Sequence, residues 1–201
     1  MDFLINENFR LTSANLSVAW HVVDAATLDA EGAIAVPGRR VFRYKGATQL
    51  IAEQKGSMVN LIRQPATNFT VRGFQKWLRE LFRDIIFALA EEILPPRVKY
   101  WEEKTGLFGS GVKIERLKNS VLGCCSYTNQ ISLQPFLVLF KQDWIDEIIL
   151  HEMTHYKFKH HKKAFWDYLS MLLGRDARKS KARKDIELSP FYGYCLYLTK
   201  K

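Results

Sequence analysis

His151 and His155 stand four positions apart in the run HEMTH, with Glu152 beside the first of them. This spacing constrains the chain more than any other feature. On a helix, residues i and i+4 lie one turn above each other, so both imidazoles reach a single ion. Glu152 then sits beside that ion without ligating it. There it can take a proton from a water attacking a substrate and pass the proton to the leaving group. The competing reading is a pair of buried histidines bonded to backbone carbonyls. With 5 histidines in 201 residues, a chance HExxH is roughly a one-in-a-hundred event or rarer, which favours the metal.

A catalytic zinc takes three protein ligands and keeps a fourth position for water. His160 and His161 are both close enough in sequence to supply the third. His161 lies ten residues beyond His151, the outer spacing of HExxHxxGxxH, but Phe158 stands where that pattern has its turn-forming glycine. The chain must therefore leave the helix by another geometry.

Around the motif, Asp143 and Asp146 read as a cap and acidic first turn for WIDEIILHEMTHYKF, with Ile145, Ile148 and Ile149 on its buried side. Phe165, Trp166, Leu169, Leu172 and Leu173 make an apolar face for a helix over 162–173, stopped by Gly174. A long helix is expected over 72–94, from Phe74 to Ile93, ended by Pro95 and Pro96, with a second over 98–104. Residues 113–117, 121–126 and 130–133 read as three short strands with a turn at Asn129. The first 65 residues read as short strands, at 16–23, 41–44 and 58–62, punctuated by Gly32, Pro37-Gly38 and Gly46. Ala25, Ala26 and Ala30 fit a short helix equally well.

The net charge of +9 is unevenly placed. Residues 157–201 hold 12 Lys or Arg against 4 Asp or Glu, and the rest of the chain is nearly balanced. Such a field suits a polyanion or simply a solvated surface. Cys124, Cys125 and Cys195 include an adjacent pair and leave an odd count, which suits a reducing compartment rather than a disulfide framework. With no long apolar run at the start or elsewhere, the expected location is cytoplasmic, with no membrane partner.

HEMTHYKFKHHKKAFW resembles the zinc-site signature of the YgjP-like zinc metallopeptidases, approximately HELxHxxxxxHxxxFW. LGCCS at 122–126 is similar to that family's WGSCS segment, QISL at 130–133 to its next strand, and WIDEIILHE to its approach to the metal helix. The resemblance spans approximately residues 70–175. Leu122 and Cys124 depart from the family's tryptophan and serine, and His160 replaces an asparagine.

The resemblance implies one zinc held by His151, His155 and His161, with Glu152 as general base and a peptide or protein as substrate. It also implies an α+β zincin-like fold, with a small antiparallel sheet packed against the metal helix. In that layout residues 1–65 are a strand-rich elaboration of the same domain, 66–185 the catalytic core, and 186–201 an aromatic segment packed on it. His160 is a candidate to stabilise the transition state or support a ligand, with Tyr156, Tyr192 and Tyr194 as further oxyanion candidates. Asp167 and Glu187 are candidate acidic supports for the histidines. Phe165 and Trp166 fit simple packing between helices, and Cys125 a packed strand rather than a ligand or nucleophile. An edge strand at 122–126 could hold an extended peptide.

Two alternatives remain at this point. Nucleotide or phosphate-anhydride hydrolysis would use the same metal, although no Gly-rich phosphate loop is present. A zinc-stabilised nucleic-acid module would use Lys157, Lys159, Lys162, Lys163, Arg175, Arg178, Lys179, Lys181, Arg183 and Lys184 on a phosphate backbone.

Overall fold

The computed structural model describes residues 4–25, 28, 38–46, 48–118 and 121–199. Ala26, Ala30, Gly32 and Pro37 lie outside them, so the short helix and two of the expected punctuation marks are not described. The chain divides into two compact units, one ending at Arg83 and the other running Asp84–Thr199.

The first unit carries β1 (Ser17–Val22), β2 (Arg39–Lys45), β3 (Gln49–Lys55) and β4 (Met58–Arg63) in the order β1-β4-β3-β2. β1 runs parallel to β4, and the other pairs are antiparallel. β3 is the strand the sequence reading did not anticipate. Its apolar residues Leu50, Ile51 and Ala52 are consecutive and all buried, so they show no period of two.

A single helix, α1 (Arg72–Thr105), replaces the two expected on either side of Pro95 and Pro96. Proline removes an N–H and crowds the preceding turn. Here the carbonyls left without a donor belong to Glu91 and Glu92, both of which are exposed residues. Leu94 and Val98 flank the prolines and are buried, so packing holds the helix through them.

The second unit contains the rest of α1, then β5 (Gly111–Ile114), β6 (Gly123–Cys125), β7 (Gln130–Leu133), a 3₁₀ turn and α2 (Gln142–Thr154). After these come α3 (Lys163–Leu173) and α4 (Ala177–Leu198). The sheet order is β5-β7-β6. β6 and β7 form an antiparallel hairpin closed by Asn129, whose φ of 62° is left-handed. β5 pairs with β7 in parallel, because the chain crosses to the far side of β7 before forming the hairpin. The sheet is therefore mixed rather than wholly antiparallel.

α2 starts one residue before Asp143, with Lys141 at the cap position and no side-chain cap. Asp146 is instead held by Arg97 at 2.6 Å and by the Trp101 indole at 3.0 Å. Ile145, Ile148, Ile149 and Met153 are buried as the helical pattern requires. Phe165 and Leu169 of α3 pack with Leu150 and Ala177, and Gly174 ends α3 in the left-handed conformation. The basic run and the aromatic segment after it form one helix, α4, started by Asp176 accepting from the Lys179 N–H. Among the described residues no helix is long and apolar enough to cross a membrane.

Candidate metal centre

His151 occupies the last turn of α2, and His155 caps it in right-handed helical conformation. The chain then turns through residues 156–161 and enters α3, which brings His161 back over the end of α2. One nitrogen from each of His151, His155 and His161 lies within 4.8 Å of the others. The Nε2 atoms of His151 and His161 are 2.9 Å apart, close to the roughly 3.3 Å that separates two nitrogens on a tetrahedral zinc. His155 Nδ1 is 2.9 Å from the Phe158 carbonyl. A carbonyl only accepts, so Nδ1 carries the proton and Nε2 keeps its lone pair. Phe158, the residue that breaks the glycine-turn pattern, orients a histidine through its backbone.

Phe165 is fully buried and forms the base of the cluster, its ring 4.9, 4.7 and 4.6 Å from those of His151, His155 and His161. The Trp166 indole donates to the His161 carbonyl at 3.1 Å. The aromatic pair thus does more than join two helices: it packs against the rings and covers the partly buried His151 and His155, while His161 stays exposed.

That shielding sets the protonation. Burial first, and then its histidine neighbours, lower the His151 pKa to about 3. Burial also lowers those of His155 and His161. Three neutral imidazoles with converging lone pairs are the donor set a borderline-soft divalent cation requires. Glu152 is 6% exposed, and burial raises its pKa to about 8. A cation among the histidines would bring it back down.

β6 lies against α2, and a Cβ built on Gly123 would stand 2.9 Å from Glu152 Cγ and 3.1 Å from its Oε1. Only glycine lets the strand approach the carboxylate so closely. β6 has β7 as its one strand neighbour and presents its other edge unpaired among the described residues. Cys124 and Cys125 follow Gly123 on this strand. Burial raises both thiols above their ordinary range, and neither belongs to the metal cluster. This is the opposite of an activated nucleophile.

Other expected participants sit elsewhere. His160 is exposed and outside the cluster. The Tyr156 hydroxyl is buried against Gly109, where an added Cβ would overlap it. Tyr192 packs edge-on to Phe136 at 6.3 Å, and Tyr194 is on the same helix. Asp167 pairs with Lys163 at 2.6 Å and Glu187 with Arg183 at 2.7 Å, so neither reaches a histidine.

Glu147, one turn before His151, was not anticipated. It is buried and accepts from Lys184 at 2.9 Å, from Arg175 at 3.2 Å and from Ser180. Burial alone would raise its pKa, but these donors outweigh burial and leave it lowered. Lys181 pairs with Asp185, and Lys159 donates to the Ser126 carbonyl and Asn129 side chain. Much of the basic surface is therefore committed within the protein.

No curated protein and no solved structure matches the chain. A family model does, described as YgjP-like, metallopeptidase domain, and it covers residues 31–183. That match takes in the histidine cluster, the glutamate, the edge strand and the aromatic pair, and the chain belongs to the YgjP-like metallopeptidase family.

Proposed function

We propose that this chain is a zinc peptidase in which His151, His155 and His161 hold one zinc and Glu152 is the general base. The observation that carries the reading is the convergence of three neutral histidine nitrogens within 4.8 Å, next to a buried glutamate. Bound zinc supplies a Lewis acid that polarises a carbonyl and acidifies water. Glu152 takes the proton of the attacking water on its carboxylate and returns it to the departing amine. The free edge of β6 aligns an extended peptide by backbone hydrogen bonds, with Gly123 keeping that strand close to Glu152. Phe165 excludes water from beneath the histidines, which strengthens every electrostatic interaction there. The adjacent Cys124 and Cys125 and the odd count of three cysteines suit a reducing compartment, and the proposed location is the cytoplasm.

The test is cleavage of a broad peptide library by zinc-reconstituted protein beside Glu152→Gln. Expected is metal-dependent cleavage by the native chain and loss of about 10²–10⁴-fold in the variant, the usual range for removing a general base. Cleavage that survives Glu152→Gln would remove the glutamate from the chemistry.

A further inference from the structure

Trp166 touches two features at once. Its ring is 5.7 Å from that of His161 and 6.0 Å from that of His151, and it also lines a separate cavity of about 430 Å³ with Lys163, Asp167, Ser170, Asp176 and Arg178. The charges in that cavity are not equally available. Asp167 is taken by Lys163 at 2.6 Å. Asp176 accepts from the Lys179 backbone at 3.0 Å to start α4. Arg178 has no carboxylate partner among the described residues. Its guanidinium lies over the Trp166 ring, 5.5 Å from the centroid, a cation–π approach that steadies the group without using its N–H donors in a hydrogen bond.

We infer that Arg178, held over Trp166 beside the histidine cluster, is a specificity-determining residue that binds a carboxylate of the peptide substrate. The inference rests on the peptidase reading and names the kind of peptide that site takes. Arginine matches a carboxylate with two parallel N–H donors. The indole sets the distance from that carboxylate to the reacting carbonyl, since the same ring donates to the His161 backbone at 3.1 Å. The carboxylate comes from an Asp or Glu side chain or from the peptide's C-terminus, and both sources present the same group to Arg178.

The test uses the full chain, zinc-reconstituted, with alanine octapeptides carrying one Glu walked along the sequence, their Gln twins, and each peptide with a free or amidated C-terminus. Binding is read by tryptophan fluorescence in the Glu152→Gln protein and cleavage in the native one. With Arg178 intact, binding should favour one Glu register over its Gln twin, or the free acid over the amide, by about fivefold to tenfold, as a charge-assisted contact gives. Arg178→Ala should remove that preference and Arg178→Glu reverse it toward a lysine peptide, with zinc content unchanged. A preference for the Glu register identifies a side chain, and a preference for the free acid identifies the terminus.

Equal binding of all the twins, or a preference that survives Arg178→Ala, would overturn the assignment. So would tighter, Arg178-dependent binding of ATP than of any peptide. Because binding is read without turnover, peptides bound through Arg178 but never cleaved would contradict the peptidase reading alone. Peptides cleaved with no regard to charge would contradict the Arg178 assignment alone.

Discussion

Glu147 and His151 lie one turn apart on α2, and the protein covers both, yet it treats them oppositely. Glu147 is matched: Lys184, Arg175 and Ser180 surround its carboxylate, so its charge is satisfied inside the fold. His151 is met by two more imidazoles and, from the next residue, by a carboxyl that burial holds near a pKa of 8. The first turn is electrostatically complete, and the second gathers neutral nitrogen donors that only a cation would engage together. A helix built this way is anchored at one level and left to accept a cation at the next.

The difference can be broken at either level. The largest effect is expected at the unmatched turn, where Glu152→Gln lowers peptide cleavage by about 10²–10⁴-fold. Retained zinc in that variant, measured alongside activity, distinguishes lost proton transfer from a lost site. At the matched turn, Lys184→Met leaves Glu147 with two of its three donors. Breaking a buried pair costs about 3–5 kcal/mol, and the remaining donors place this variant at the low end, about 3 kcal/mol in a denaturant titration. An unchanged midpoint would mean that Lys184 does not anchor α4 to α2.

Gly123→Ala should lower turnover by roughly 10²-fold, the scale of a displacement of about 1 Å at a catalytic group, because the new Cβ meets Glu152 Cγ at 2.9 Å. Zinc content should stay at the native level. Trp166→Phe keeps the ring but deletes the donor to the His161 carbonyl, and should weaken zinc by about tenfold, the lower range for groups that orient a ligand.

The smallest effect is on metal-free stability. Folded Glu152, with its pKa raised to about 8, keeps a proton that the unfolded chain releases above about 4.5, so stability falls as pH rises through that window. Below about 6.5 the unfolded chain instead takes up protons at His151, His155 and His161, whose folded pKa values burial lowers, and this uptake opposes the Glu152 slope. A net loss of about 1.4 kcal/mol per pH unit is therefore expected only between roughly pH 6.5 and 8. Chemical denaturation across that range should show it in the native chain and not in Glu152→Gln.

Much of the centre was legible because it is local. The i, i+4 histidines and the apolar face of α3 follow from helical period alone, the glutamate beside the first histidine from the motif, and the choice of His161 over His160 came from the family resemblance through Phe165 and Trp166. What escaped depends on neighbours far along the chain. Glu147 looks like any solvated acid until Lys184, 37 residues on, is packed against it. Gly123 reads as an ordinary strand glycine until Glu152 lies against it. Pro95 and Pro96 carry a strong stop signal, overridden because the buried residues on either side belong to one continuous face. The basic stretch 175–185 read as a surface for a polyanion or simply for water, and neither reading foresaw that Arg175 and Lys184 are turned onto Glu147.

The most direct measurement is zinc content per chain in the native protein, His161→Ala and Glu152→Gln. Near one zinc in the native chain, loss in the histidine variant and retention in the glutamine variant are expected from three neutral ligands beside a non-ligating acid. No zinc in the native chain, even after reconstitution, would contradict the site at its foundation.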